Sequence, residues 1–482
     1  SGIGGFEVSV EAYISGGLFQ FEMVGLPDAA VKEARERVRA SIKNNRLEFP
    51  AGHVTVNLAP ADKKKSGTAY DLPIFIAIAS AEGELKVRND MAFIGELSLT
   101  GELRPVSGAL PMAICAERCG ITDLFVPAEN ASEAAFAENI NVYGADNVSQ
   151  IIRHLRGEEY LEPAPVSRPE KYESHVPDFS EVKGQENVKR AFEIAAAGGH
   201  NVLMSGSPGS GKTLLSKCFA SILPPLEFEE AIELTKIYSV AGLIDNKKPL
   251  VTKRPFRAVH HTASAIGIIG GGGNPKPGEI TLAHRGVLFL DELVEFPRNV
   301  LEVLRQPLED KEIVISRAQT RVCFPADFML LAAMNPCPCG YLGDKEKNCT
   351  CSDFQINRYL AKLSGPLLDR IDLQIDVPRL TPEELLNATE VPEDSATIRG
   401  RVARARKIQI ERYKNDGILT NSELSSKLIK KYCKLDDSSA QMLKLAAVKY
   451  QLSGRRYDRI LKLARTIADL EGSHEIKISH IS

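Results

Sequence analysis

Three short apolar runs mark the middle of the chain, and each gives way to polar residues. Asn201-Val-Leu-Met leads into a glycine-rich stretch, Gly286-Val-Leu-Phe-Leu stops at Asp291 and Glu292, and Phe328-Met-Leu-Leu-Ala-Ala-Met stops at Asn335. Short continuous runs of this kind are expected of strands buried on both faces of a parallel sheet, whose carboxyl ends gather chemistry. Residues 1–160 are patterned differently. Strand-like segments such as Phe6-Glu-Val-Ser-Val-Glu-Ala and His53-Val-Thr-Val-Asn-Leu alternate there with helical ones such as Ala29-Ala-Val-Lys-Glu-Ala-Arg-Glu-Arg-Val, which predicts a separate α/β domain. Glu162-Pro-Ala-Pro-Val-Ser-Arg-Pro-Glu-Lys is proline-rich and poor in large apolar residues, so residues 161–177 read as a linker. The α/β core then spans 178–388, with helices on both faces of its sheet. Residues 389–482 become helical in pattern, as suits a small lid domain.

The stretch after the first run is Gly206, Ser207, Pro208, Gly209, Ser210, Gly211, Lys212 and Thr213. Between a strand and a helix this spacing is a phosphate-binding loop, the P-loop of a nucleotide triphosphatase. Its glycines let the backbone curl so that N–H groups point inward, and the following helix adds its positive end. Lys212 is expected to reach the β- and γ-phosphates of ATP, and Thr213 to ligate Mg²⁺. Asp291 is expected to hold the same Mg²⁺ through its hydration shell. Glu292, one residue further, is placed to deprotonate the attacking water, and Asn335 to contact the γ-phosphate or that water.

Composition narrows the setting. A chain of 482 residues can build several cores, and a net charge of −3 draws no partner by its overall field, so any nucleic-acid contact must come from local patches. No apolar run approaches a membrane span, and Ser1-Gly-Ile-Gly-Gly-Phe lacks the regions of a signal peptide, so a cytoplasmic chain is expected. Of nine cysteines, Cys115, Cys119, Cys218, Cys323 and Cys433 sit among apolar neighbours and read as buried thiols. The other four form two close pairs, Cys337 with Cys339 and Cys349 with Cys351, around a polar loop that burial cannot shape. Four thiolates on a structural Zn²⁺ would fix it, although C-x-C is less common than C-x-x-C, and reduced or reversibly oxidised thiols are the alternative. Because the loop follows Asn335 directly, its order would bear on the nucleotide site.

An insertion separates the phosphate loop from the acidic strand. It carries Arg254, Arg257, the adjacent His260 and His261, four glycines from Gly270 to Gly273, and Lys276. Four glycines cannot pack a core, so this loop is expected to be mobile or shaped by a partner. Adjacent histidines in a strand point to opposite faces, which favours hydrogen-bonded structural roles over metal binding.

The phrases Asn274-Pro-Lys-Pro-Gly-Glu-Ile, Leu288-Phe-Leu-Asp-Glu-Leu, Asn335-Pro-Cys-Pro-Cys-Gly, Ser364-Gly-Pro-Leu-Leu-Asp-Arg370-Ile-Asp and Ala464-Arg-Thr-Ile-Ala-Asp-Leu resemble the magnesium-chelatase-like AAA+ ATPases of the bacterial ComM/YifB family. The resemblance covers nearly the whole chain. It implies an AAA+ P-loop core, an N-terminal domain folded like that of Lon protease, a C-terminal helical lid, and a ring, most simply a homo-hexamer. Arg370 would be the arginine finger offered to the neighbouring subunit. Arg455, or the adjacent Arg456, would be the lid arginine that senses nucleotide in its own subunit. The insertion would face the ring channel, where Arg254, Arg257 and Lys276 would meet DNA phosphates; a solvated loop at a subunit boundary is the alternative. A Lon-type protease needs a Ser–Lys dyad. The matching segment offers Asp71 where the nucleophile belongs, and no lysine in Gly101-Glu-Leu-Arg-Pro-Val-Ser-Gly-Ala-Leu-Pro, while Ser66 beside Lys63, Lys64 and Lys65 reads as a solvated surface loop. Proteolysis is therefore not expected, and the domain would organise subunits or guide substrate. The helix carrying Arg399, Arg401, Arg404, Arg406 and Lys407 reads as a solvated lid face. By resemblance the activity is ATP-driven helicase action or branch migration on single-stranded or branched DNA, in recombination of incoming DNA during natural transformation. The alternatives are a chelatase-type motor subunit and a protein remodeller without protease activity.

Overall fold

In the computed structural model, residues 2–166, 176–272, 275–317, 320–381 and 392–481 are described. The middle of the predicted linker, the core–lid boundary at 388/389, and Gly273 and Asn274 of the insertion lie outside them.

All four residues of the strand Val287–Leu290 and the first five of Met329–Met334 are buried, as continuous apolar runs require. They lie at the centre of a five-stranded parallel sheet ordered Phe256–Val259, Val287–Leu290, Met329–Met334, Val202–Ser205, Leu373–Asp376. Each strand feeds side chains alternately to two cores. Val202, Met204, Phe289 and Leu331 pack with Phe192, Leu215 and Phe219 on one face, whereas Leu203, Leu288, Leu290 and Leu330 pack with Ile268, Ile280 and Leu301 on the other. Met334 lies beside Ser205 in register, so the strand ends that precede Gly206, Asp291 and Asn335 share one edge.

In the N-terminal domain, His53–Ala59 alternates as predicted, with Val54, Val56 and Leu58 fully buried. It pairs antiparallel with Ser9–Ser15 and parallel with Gln20–Val24. The first strand thus begins at Ser9, where its register with Ala59 starts, three residues later than the apolar pattern suggested. A second sheet, Met91–Phe93, Asp123–Pro127 and Asn141–Ala145, is parallel. Leu110 and Phe136 of this domain are buried with Ala231 and Leu250 of the ATPase core, so the two domains share a small apolar seam.

Of the C-terminal helices Ser395–Tyr413, Ser426–Tyr432, Asp437–Lys449 and Gly454–Leu470, the first and last pack on the helix Glu186–Gly198, and Ser426–Tyr432 packs on the last. The basic face expected to be solvated is partly used for this docking. Arg401 pairs with Glu193 and Glu393, and Arg406 donates twice to the Ala196 carbonyl, at 3.1 and 2.9 Å, while Arg404 and Lys407 stay exposed. The expectation of buried thiols fails at three of the five scattered cysteines. Cys218 and Cys433 are buried thiols, but Cys119 and Cys323 are exposed and Cys115 is half-buried, because apolar sequence neighbours do not determine which way a side chain faces. No helix among the described residues is long and apolar enough to cross a membrane.

Candidate nucleotide site and four-cysteine centre

The strand Val202–Ser205 runs into the loop 206–211, which opens the helix Lys212–Phe219. Gly209 and Gly211 have φ of +80° and +88° with open space around them, so conformation alone requires glycine there. Gly206 is needed for a different reason, since a Cβ would lie 2.5 Å from the Val377 carbonyl. Lys212 Nζ donates to the carbonyls of Gly206 (2.6 Å) and Ser207 (3.0 Å) and lies 3.4 Å from Asn335 Oδ1. Burial pulls its ammonium below the ordinary lysine range, against the opposing pull of Asp291. Thr213 Oγ1 donates to Asp291 Oδ2 at 3.2 Å. Ser210 Oγ is buried in the loop without a partner, an orphan hydroxyl that suits a phosphate oxygen. Phosphate-loop, acidic and Asn335 strands therefore converge at one sheet edge, which brings Thr213 to Asp291 and Lys212 to Asn335.

Glu292 sits in the left-handed region, at φ 52° and ψ 46°, which costs a residue with a Cβ roughly 1–2 kcal/mol and re-aims its carboxylate away from the strand direction. That carboxylate meets His261 Nδ1 at 3.0 Å. His261 was not legible as its partner; the only signal was its position two residues past Val259, which lies beside Leu290 in register. The strand ends at Val259, so the expected opposite-face geometry does not apply, and the His260 and His261 rings lie side by side with centroids 4.1 Å apart.

Arg254 and Arg257 are engaged within their own chain. Arg254 donates to the Pro224 and Arg285 carbonyls, both at 2.8 Å, and to Glu230 at 2.7 Å, while Arg257 grips Glu279 with two bonds of 2.7 and 2.8 Å. Both guanidinium groups are thus paired with a carboxylate of the same chain while remaining partly exposed. Lys276 alone of the three stays exposed, on a short hairpin in which Gly270–Gly271 pairs with Lys276–Pro277. Gly270 and Gly271 are thus shaped by their own chain. A Cβ on Gly270 would lie 2.3 Å from the Lys276 carbonyl, so the close approach of the two hairpin arms demands glycine.

Arg370 lies in the turn before Leu373–Asp376, bonded to Glu309 and to the Pro366 carbonyl at 2.6 Å. Asn201, which precedes the phosphate-loop strand, donates to the Arg370 carbonyl at 2.9 Å. Arg370 is therefore at the amino ends of the strands, about 13 Å of strand away from its own phosphate loop. The lid helix Gly454–Leu470 begins on the same side. Arg459 bonds the Asp369 carbonyl and lies 3.7 Å from Asp372, and Arg455 and Arg456, one turn earlier, are exposed. The structure does not bring Arg455 to its own phosphate loop, and the lid does not cover that loop, because its docking groups (Arg406, Gln409 and Thr466) meet the helix and turn that precede Val202.

The four clustered cysteines come together with all Sγ atoms within 4.8 Å, and the separations Cys337–Cys339, Cys337–Cys349 and Cys339–Cys349 are 3.4, 3.6 and 3.6 Å. Tetrahedral zinc at Zn–S distances of ~2.3 Å sets its sulfurs about 3.8 Å apart, which these positions approach. Backbone N–H groups of Tyr341 and Thr350 hold the Cys339 thiol down to about 5. Cys349, despite the pull of the Cys351 N–H, is pushed up to about 12 by burial and the neighbouring sulfurs. Four thiolates cannot crowd together here without a cation, so the donor set fits a soft divalent metal.

In the N-terminal domain Asp71 is fully buried, accepting from Arg37 at 2.6 and 3.0 Å and from the Leu97 N–H at 3.1 Å. Burial raises its pKa, against the pull of Arg37 and that N–H. A fully paired carboxylate offers no nucleophile. Lys63, Lys64 and Ser66 are exposed as expected, but Lys65 is buried with its ammonium on the Pro60 carbonyl. Lys65 and Ser66 therefore do not form a substitute dyad.

Comparison with known proteins agrees with this geometry. Residues 178–385 match the family model described as magnesium chelatase, subunit ChlI; residues 10–130 match subunit ChlI of Mg-chelatase, and residues 392–482 its C-terminal model. The competence protein ComM of Haemophilus influenzae is 44% identical over 98% of this chain and 93% of its own length. The YifB protein of Escherichia coli is 43% identical over 100% of this chain and 94% of its own. A Lon protease of Heliobacterium modesticaldum is 32% identical over 22% of this chain and 13% of its own, in keeping with a Lon-like N-terminal domain. With its phosphate loop, acidic strand and parallel sheet in place, the chain belongs to the magnesium-chelatase-like ComM/YifB family and is an AAA+ ATPase of the ComM type.

Proposed function

We propose that this ATPase is a Mg²⁺-dependent ring motor that acts on single-stranded or branched DNA, by unwinding or branch migration in recombination of incoming DNA. The observation that carries the motor reading is the meeting of Lys212, Thr213, Asp291 and Asn335 at one sheet edge, with Glu292 beside them. ATP and Mg²⁺ would be held by the loop 206–211, Thr213 and Asp291. Glu292 would act as general base once its carboxylate leaves His261 and turns to the water in line with the γ-phosphate. Arg370 lies away from its own phosphate loop, so it would meet transition-state charge from a neighbour, and a closed ring, most simply a hexamer, would be the active form. On this reading the four cysteines carry a structural Zn²⁺, and the protein works in the cytoplasm. The DNA assignment rests on likeness to a relative named as a competence protein. A chelatase-type motor subunit is the second reading, favoured by the three chelatase family models.

The test compares ATP hydrolysis without addition, with single-stranded DNA, with a four-way junction and with unfolded polypeptide. Stimulation by either DNA supports the proposal; stimulation by polypeptide alone overturns it. Mixing Arg370→Ala subunits with Lys212→Ala subunits should restore part of the turnover that each lacks alone, and no recovery would contradict an arginine acting across an interface.

A further inference from the structure

From Asn335 to Cys351 the chain forms no helix or strand, and most of residues 341–350 are solvent-exposed. Its buried anchor is Cys337 with the three other cysteines around it; beyond them it has a turn in which Asp344 Oδ1 accepts from the Glu346 and Lys347 N–H groups at 2.8 and 3.0 Å, and the surface contacts Glu346–Arg379 and Lys347–Tyr341. Yet this loop presses on the phosphate loop at two places. Gly340, at φ +85°, lies so close to Pro208 that a Cβ would be 2.7 Å from its Cδ, and the same point is 3.8 Å from Asn335 Cγ. Asp344 Oδ2 is buried without a hydrogen-bond partner, and the nearby Ser207 hydroxyl is the first of the groups that hold the Asp344 carboxyl below its ordinary range. Cys337 is two residues from Asn335, whose amide oxygen faces Lys212. The loop thus braces both halves of the phosphate site, and it has little to hold its shape except its sulfurs.

We propose that metal occupancy of the four-cysteine centre sets nucleotide affinity: the metal locks Gly340 on Pro208 and Asp344 on Ser207, and its loss lets the phosphate loop relax. This rests on the zinc and ATP readings above and adds regulation of that site. Asp344 acts here as a positioning residue, working through Ser207. A polar loop of this exposure has no apolar core to replace the metal, so release unfolds the brace while the five-stranded sheet keeps its own two cores.

The test uses the full chain, purified under reducing conditions, with zinc measured by metal analysis and affinity by titration of a fluorescent ATP analogue. The double variant Cys349→Ser/Cys351→Ser should lose the metal and bind the analogue about tenfold or more weakly, the scale seen when partners around a metal site are removed. Asp344→Ala should keep stoichiometric zinc and still weaken binding, whereas Asp344→Asn, which retains the acceptor for Glu346 and Lys347, should recover most of it. Unchanged affinity in a zinc-free double variant, or in Asp344→Ala, overturns the coupling even where zinc and ATP are both bound. Reduced wild-type protein without zinc would instead remove the zinc reading, and wild-type protein that binds no more analogue than Lys212→Ala would remove the ATP reading.

Discussion

Two carboxylate sites, one in each α/β domain, stand in contrast. At the phosphate loop, Asp291 and Glu292 end a buried strand with their oxygens outside the core, bonded only to groups that a nucleotide, a metal or water can replace: the Thr213 hydroxyl, a local N–H and an imidazole. In the N-terminal domain Asp71 opens a buried helix and is closed in by Arg37 and the Leu97 N–H. The first arrangement leaves lone pairs available and stores backbone strain at Glu292; the second commits three hydrogen bonds to joining two helices and a strand. A carboxylate positioned for chemistry and one that holds a fold differ in how replaceable their partners are, more than in residue type or place along a strand.

The largest break in that contrast comes from Glu292→Gln. Loss of a general base should lower turnover by roughly 10²–10⁴ while ATP binding persists, as read by steady-state hydrolysis and analogue titration; normal hydrolysis would place the base elsewhere. Asp71→Ala removes the charged hydrogen bonds that the half-buried Arg37 makes and should cost about 1.5–3 kcal/mol in the unfolding transition of the N-terminal domain, with analogue binding at the core unchanged. A stable variant would mean that Asp71 is not what ties that helix down. Arg254→Ala should cost about 1.5–3 kcal/mol in stability through its charged hydrogen bonds, with no change in the salt dependence of DNA binding. Lys276→Ala should do the reverse, leaving stability unchanged and lowering the salt slope by about one; a slope that moves with Arg254 instead would reverse these two roles.

The core was legible where one physical rule acts without competition. Val287–Leu290 is buried on both faces, so its pattern is continuous and its terminal acids follow; Gly209 and Gly211 are needed for backbone conformation, and their spacing says so. Legibility failed where partners far apart in sequence compete for a side chain. Arg254 and Arg257 resemble phosphate ligands until Glu230 and Glu279 are seen to hold them. Arg455 resembles a sensor of its own nucleotide until Arg406, Gln409 and Thr466 dock the lid at the opposite strand ends. His261 carried no local mark at all, because its link to Glu292 is made by neighbouring strands rather than by spacing.

The most direct measurement is the structure of the Glu292→Gln chain with ATP and Mg²⁺. The account predicts the triphosphate wrapped by the backbone of residues 206–211, Mg²⁺ between Thr213 and Asp291, and the γ-phosphate within hydrogen-bond reach of Lys212 and Asn335. An empty loop, or a terminal phosphorus remote from positions 291 and 292, would contradict it.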